Sequence, residues 1–139
     1  MKLTKSGKLH VSERDVERTI IAMLRADGWT CFPLRREAVK RGSGRAIELP
    51  EGCADWVAVK PQWTPAKLAE LLQPLSWQTC GYTIFFELKA TNARTAAKRK
   101  REQTAWREGM ERRGFVCYQA PDGEADPIGH FKQWYEVVK

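Results

Sequence analysis

The chain of 139 residues is long enough for one domain of ordinary size, and its 42% hydrophobic and 29% charged residues exclude a wholly disordered protein. Its formal net charge of +7 favours a polyanionic partner, nucleic acid before an anionic membrane surface. No stretch approaches the roughly 20 apolar residues that a membrane-spanning helix needs, and the polar start of the chain lacks the pattern of a secretory signal. We therefore expect a cytoplasmic protein that does not contact a membrane.

The start of the domain is predicted from a helix cap. Residues 1–11 have the composition of a flexible basic tail, and residues 12–139 are expected to form one domain. Ser12 is the predicted N-cap of a helix that runs to Asp27, because its side chain can accept a hydrogen bond from the first turn. Gly28 follows at a position where helices commonly end.

Further elements follow in an alternating order. They are a strand over 29–34, a basic loop over 35–51, a strand over 55–59, an insertion over 61–80 with a short helix over 64–73, a strand over 82–90, a basic helix over 95–113, a strand over 115–120 and a last helix that begins at Asp126-Pro127. Two strands joined by a helix form a βαβ unit, so the last two strands should be parallel. This order predicts an α/β fold with the core order αβββαβ, in which helices flank a mixed four-stranded sheet.

The cysteines do not indicate a metal site. Cys31, Cys53, Cys80 and Cys117 form no C-x-x-C pair, and neither histidine lies close to one of them in the sequence, which argues against zinc. Reduced thiols packed as small apolar side chains are the simplest explanation.

A carboxylate and an ammonium end the most apolar strand. Side chains alternate between the two faces of a strand, so Glu87 and Lys89 project on the same face as Phe85. Buried charges are costly unless they are paired or bind a metal ion. A cross-strand ion pair is the structural alternative, and for these two residues alone it is the better explanation.

Two more acids occupy positions where acids are uncommon. Asp55 opens a predicted strand, although aspartate is depleted in strands, and a turn or cap role would also explain it. Glu17 falls on a helical wheel between Leu24 and Ile21, inside the apolar sector. A glutamate that points towards a core either partners a buried basic residue or helps to hold a cation.

The three acids and the lysine together fit a metal-dependent hydrolytic site. Mg²⁺ prefers oxygen ligands, typically one or two carboxylates with waters and substrate phosphate. Such an ion polarises a scissile phosphate and lowers the pKa of water, and a lysine nearby can orient that water or stabilise developing negative charge.

A cationic segment follows the strand that carries Glu87. Contacts from such a segment to phosphates would supply affinity without sequence information, whereas a solvated charged face is the usual alternative. On the same helix Gln103 is in register with Trp106 and Met110, so it should face the sheet, where it can hydrogen-bond the site or satisfy a buried carbonyl. The cations of the segment are Arg94, Lys98, Arg99, Lys100 and Arg101.

The order of these motifs resembles that of a known nuclease superfamily. The motifs are a helix carrying Glu17, then Gly52-Cys53-Ala54-Asp55, Glu87-Leu88-Lys89, Gln103 in the next helix, and Arg113-Gly114-Phe115-Val116. This order resembles the PD-(D/E)XK superfamily and, within it, the virus-type replication-repair nuclease (VRR-NUC) domain, over most of the chain. Ala54 stands where the family often has proline, and the 61–80 insertion is long for a small member.

The resemblance implies a restriction-endonuclease-like core and a Mg²⁺- or Mn²⁺-dependent endonuclease that cuts DNA, with branched or junction DNA as the expected substrate. Asp55 and Glu87 would be the principal metal ligands, with the backbone carbonyl of Leu88 as a third and Glu17 binding directly or through water. Lys89 would position or activate the attacking water, and Gln103 would support the site. Stand-alone members resemble Holliday-junction resolvases and often form dimers, so a homodimer is a further expectation.

A non-catalytic protein on the same fold is the main alternative, either a nucleic-acid clamp or a phage-encoded inhibitor of another protein, because a fold does not fix a function. The presence together of Asp55, Glu87 and Lys89 favours the nuclease, since a pure binder has no need of that triad. A membrane-surface protein is disfavoured because no basic helix has a broad apolar face.

Overall fold

The computed structural model of the chain describes residues 2–3, 7, 9–34, 50–61 and 81–138. Most of the predicted 35–51 loop, and the predicted 64–73 helix with most of the 61–80 insertion, lie outside these residues. Of the helices in the described ranges, none has the length and apolar content to cross a membrane. The elements are β1 (Lys2–Leu3), β2 (Leu9–His10), α1 (Glu13–Ala26), β3 (Thr30–Pro33), β4 (Trp56–Lys60), β5 (Tyr82–Glu87), α2 (Ala97–Arg112), β6 (Val116–Gln119) and α3 (Pro127–Val138).

The main sheet has the strand order β3-β4-β5-β6. β4 pairs antiparallel with both β3 and β5, whereas β5 and β6 are parallel and are joined through α2. The predicted βαβ unit is therefore confirmed, as is an α/β fold with a mixed four-stranded sheet flanked by helices. The element bounds agree closely with the predicted ones, except that β5 ends at Glu87 and not at residue 90.

The segment that follows β5 contacts the start of the domain. The backbone N–H of Thr91 donates to the carbonyl of Val11 at 3.0 Å, and the N–H of Val11 donates to the Thr91 hydroxyl at 2.9 Å. Val11 is buried in the core, and Lys2–Leu3 pairs with Leu9–His10. The described residues of the predicted tail thus include a short pair of strands, and the burial of Val11 adds apolar surface to the core.

The first helix follows its sequence signals. The Ser12 hydroxyl accepts a hydrogen bond from the N–H of Asp15 at 3.2 Å, which confirms the N-cap, and Gly28 follows the C-cap residue Asp27. Ile20 and Leu24 are fully buried, and they pack with Phe86 and Phe131 in a core on one face of the sheet. The centroids of the two phenylalanine rings lie 5.8 Å apart. Burial of each such ring contributes about 2 kcal/mol to the free energy of unfolding.

The cysteines of the described ranges are free thiols. Cys31 and Cys117 are buried and Cys53 is half-buried, while Cys80 lies outside the described residues. Burial raises the pKa of Cys31, and it raises that of Cys117 to about 11. The two buried thiols therefore stay uncharged and behave as small apolar side chains, as the sequence predicts.

The loop before β4 touches the backbone of α2. Gly52 has φ of +76°, and a Cβ atom built on it would overlap the carbonyl of Glu102 and lie 2.7 Å from the backbone nitrogen of Gln103. Only glycine allows both this backbone conformation and this approach. The contact fixes the start of β4, and with it Asp55, against the helix that carries Gln103.

Replacement of Gly52 by alanine should destabilise the protein by about 2–4 kcal/mol, because left-handed strain adds to a backbone overlap that no side-chain rotation relieves. Gly114→Ala is the matched control, since Gly114 has φ of +91° but nothing within 4 Å of its would-be Cβ, and it should cost only about 1–2 kcal/mol. Urea unfolding measures both. Equal losses in the two variants would contradict the proposed close contact.

Candidate active site

Glu87 is the last residue of β5 and is only 6% exposed. It lies on the same face of the strand as Phe85, whose ring meets Trp106 of α2 edge-on with the ring centroids 5.4 Å apart. The carboxylate is therefore on the side of the sheet that α2 covers, away from the main core.

Asp55 lies close to Glu87, at the end of the β4–β5 ladder. The last pair of that ladder is Trp56 and Phe86, and continuing its register by one residue sets Asp55 across from Glu87. Directly opposed side chains of an antiparallel pair have Cβ atoms about 5 Å apart. The backbone of Asp55 is held in place by a hydrogen bond from the N–H of Leu34 to its carbonyl, at 2.7 Å.

The surroundings of Glu87 oppose its ionisation. Burial first, and the charge of Asp55 second, raise the pKa of Glu87 from its ordinary value of 4.5 to about 7, although Lys89, Arg99 and a hydrogen bond from Gln103 act in the opposite direction. The folded protein thus holds a carboxylate that is only partly ionised near neutral pH. A bound cation would offset the repulsion between the two carboxylates, which protonation of Glu87 otherwise relieves.

Gln103 lies on the inner face of α2 in the orientation that its helical register predicts. It is 4% exposed, and its Oε1 is a buried acceptor without a hydrogen-bond partner in the described part of the chain. Such an acceptor costs free energy, so its retention beside Glu87 is an observation that favours a polar ligand at this point.

Lys89 is buried beside Glu87, but its ammonium bonds elsewhere. It is 8% exposed, and its Nζ donates to Oδ1 of Asp122 at 2.8 Å. Asp122 follows β6, and the sequence alone did not single it out. The available signal was topological, because the carboxyl ends of two adjacent parallel strands lie at the same edge of a sheet.

One cleft of about 270 Å³ brings most of the predicted residues together. Besides Glu13 and residues 93, 95 and 96, it is lined by Asp55, Glu87, Leu88, Lys89, Arg94, Arg99 and Gln103. This one space therefore holds the two facing acids and the two arginines. Lys89, Leu88 and the buried amide of Gln103 line it as well.

Glu17 lies beside this cleft and does not line it. Its carboxylate accepts a hydrogen bond from Nε1 of Trp56 at 3.0 Å and lines a neighbouring open cleft, which also includes Asp55. Glu13, one turn earlier on the same helix, lines both clefts. Sequence reasoning missed Glu13 because its place in the first turn was fully explained by the helix dipole.

The predicted cationic segment divides into three parts. Arg94 and Arg99 line the cleft of the facing acids, and Lys98 joins Arg99 along an adjoining cleft of about 580 Å³ that also includes Asp55. Lys100 forms an ion pair with Asp122 at 3.3 Å. Arg101 is exposed on α2.

The residues of the cleft fit a hard divalent cation through oxygen atoms. Within the described ranges, no three His, Cys, Asp or Glu side chains form a metal-binding group. Magnesium needs no such group, because it commonly binds one or two carboxylates and completes its coordination with water and phosphate. The facing pair of Asp55 and Glu87 meets that requirement, and the same cleft is lined by Leu88 and by Gln103, whose Oε1 has no partner among the described residues.

Comparison with known proteins returned no match: none of the family models, curated proteins or solved structures matches this chain.

Replacement of Glu87 by Gln should stabilise the metal-free protein at alkaline pH. The raised pKa means that the ionised carboxylate opposes folding: the cost is absent below about pH 4.5, grows between pH 4.5 and 7, and is constant above that. Glu87→Gln removes this cost, so it should gain up to about 3 kcal/mol over the wild type at pH 8, and this gain should vanish near pH 4.5.

Urea unfolding in the presence of a chelator, at several values of pH between 4.5 and 8, measures this difference. Glu108→Gln is the matched control, because Glu108 is exposed on α2. A stability difference between Glu87→Gln and the wild type that does not change with pH would show that the facing carboxylates do not oppose each other.

Proposed function

We propose that this protein is a Mg²⁺- or Mn²⁺-dependent endonuclease of the PD-(D/E)XK type, with a restriction-endonuclease-like core, which hydrolyses phosphodiester bonds in branched or junction DNA. The observation that carries the proposal is the facing pair of Asp55 and Glu87, placed in one cleft with a buried lysine and two arginines. A protein that only binds nucleic acid gains nothing from two opposed, partly buried carboxylates, since they repel phosphate and cost stability.

Asp55 and Glu87 would hold the cation, with the backbone carbonyl of Leu88 and the carboxylate of Glu13 as further oxygen donors at the cleft. When bound there, the cation supplies Lewis acidity to the scissile phosphate and to water. Glu87 gives up its proton to bind a cation, so this residue makes cation binding dependent on pH in the range around its raised pKa.

Lys89 supplies positive charge at a fixed atom. An ammonium has three N–H donors, and the contact with Asp122 uses one of them. The remaining donors can orient the attacking water and stabilise the negative charge that develops on the phosphate oxygens. Because the side chain is buried, this charge acts in a medium where water screens it little.

Arg94 and Arg99 line the cleft and would bind phosphates of the DNA backbone there. Guanidinium groups pair with phosphate through two parallel hydrogen bonds, which orients the strand as well as attracting it. Lys98 and Arg101 extend the cationic surface along α2, and none of these contacts selects a base sequence.

Glu87→Gln and Lys89→Met should each slow DNA cleavage on the order of 100-fold or more, because the first removes a carboxylate that would hold the cation and the second removes the positive charge beside the reacting phosphate. The assay is single-turnover cleavage of labelled junction, flap and linear duplex DNA in Mg²⁺, Mn²⁺ or chelator. Lys132→Met, an exposed position on α3, is the control and should cleave like the wild type. A wild-type protein that binds DNA but cuts none of the substrates would make the non-catalytic clamp the correct function.

Replacement of Lys98, Arg99 and Arg101 by alanine should weaken DNA binding in a salt-dependent manner. If each contacts one phosphate, the slope of log affinity against log salt should flatten by about 3 on duplex DNA. Binding is measured in Ca²⁺, which we expect to support binding without effective turnover. The control replaces three exposed cations away from the cleft, Arg112, Arg113 and Lys132. An equal change of slope in both triple variants would mean that α2 presents only a solvated charged face.

A further inference from the structure

The loop that carries Asp122 is fastened to the loop between β5 and α2 by backbone contacts. The N–H of Gly123 donates to the carbonyl of Ala93 at 2.9 Å, and the N–H of Asn92 donates to the carbonyl of Glu124 at 2.8 Å. We call these four residues the two-loop latch. Because the latch fixes the backbone of both loops, the Asp122 side chain approaches Lys89 from a defined direction.

Three donors that follow β5 in the sequence contact the Asp122 carboxylate. Oδ1 accepts from Lys89 Nζ at 2.8 Å and from the N–H of Thr95 at 3.3 Å, and Oδ2 pairs with Lys100 at 3.3 Å. The side chain is 17% exposed. Hydrogen bonds from Lys89 and Lys100 hold the pKa of Asp122 well below its ordinary value, so it stays ionised.

We propose that Asp122 is a positioning residue, which fixes the Lys89 ammonium at one edge of the cleft and keeps it from closing onto the carboxylate of Glu87. This inference rests on the proposed function of the same cleft. Asp122 would touch neither cation nor substrate, and it would act only through Lys89.

The charges around Lys89 explain why such a residue is needed. Lys89 is close enough to Glu87 to oppose the rise of its pKa, so an unrestrained ammonium would pair with the facing acids. That pairing would compete with a divalent cation for the same oxygen atoms. Asp122 offers Lys89 a second carboxylate, which competes with that of Glu87. The hydrogen bond from the N–H of Thr95 holds the Asp122 carboxylate in place when a cation is bound in the cleft.

The first test observes Lys89 directly and does not depend on catalysis. In the wild type, the ion-paired and buried ammonium should give a ¹H–¹⁵N signal with slow hydrogen exchange. Asp122→Asn keeps an oxygen acceptor for Thr95 but loses the charge, so the Lys89 signal should shift and exchange faster. Asp126→Asn makes the same chemical change in the same loop, where Asp126 caps α3 through Gly129, and it should leave the signal unchanged.

The second test is a double-mutant cycle on single-turnover cleavage. Asp122→Asn should lower the rate about 10- to 100-fold, while the affinity for DNA in Ca²⁺ stays within about 2-fold of the wild type. The residual cleavage by Lys89→Met is measured with excess enzyme. In that variant, adding Asp122→Asn should change the residual rate by less than about 2-fold. Asp122→Glu, which keeps the charge, should recover part of the lost rate, and it replaces Asp122→Asn in both tests if the asparagine variant does not fold.

The two tests separate the possible failures. A wild type that cuts no DNA overturns the proposed function, while the Lys89 signal still reports whether Asp122 holds the ammonium. An unchanged Lys89 signal in Asp122→Asn overturns the positioning role. So does an equal loss of rate with and without Lys89, because Asp122 would then act by another route.

Discussion

The cleft depends on one constraint, the pairing register that sets Asp55 opposite Glu87. Apolar side chains of β4 and β5 fix that register, because a slip by one residue would turn Phe86 out of the core. The burial of Phe86 therefore holds two like charges against their mutual repulsion. The close approach of Gly52 to α2 then closes the space around the pair, so the surrounding packing maintains a local arrangement that is unfavourable on its own.

Around this pair the charges alternate in sign. The facing acids are followed by Lys89, then by Asp122, and then by Lys100 at the start of α2. Parallel pairing of β5 and β6 creates this order, because it brings the ends of two strands that are distant in sequence to the same edge of the sheet. Each charge of the series is thus stabilised by its neighbours, and a change at one end alters the interactions at the other.

Local patterns predicted the elements and much of the cleft. Strand alternation placed Glu87 and Lys89 on one face, and helical register turned Gln103 inward, since both depend only on neighbouring residues. Asp122 was not predicted as a partner of Lys89, because 33 residues separate them and only the tertiary fold joins them. The sequence also did not indicate that Glu13, one turn before Glu17 on α1, lines the same cleft as Asp55 and Glu87, since that depends on how α1 packs against the sheet.

The two-loop latch has a consequence for how this protein tolerates sequence change. Its hydrogen bonds join main-chain N–H and carbonyl groups of Ala93, Gly123, Asn92 and Glu124, and main-chain groups are present whatever side chain a residue carries. Asn92 and Gly123 have φ of +57° and +70°, so these two positions favour asparagine and glycine, whereas Ala93 and Glu124 can vary while the distance between Lys89 and Asp122 is kept. The two loops can therefore differ in composition, and hence in the surface that they present to a partner, while the ion pair of Lys89 and Asp122 stays the same.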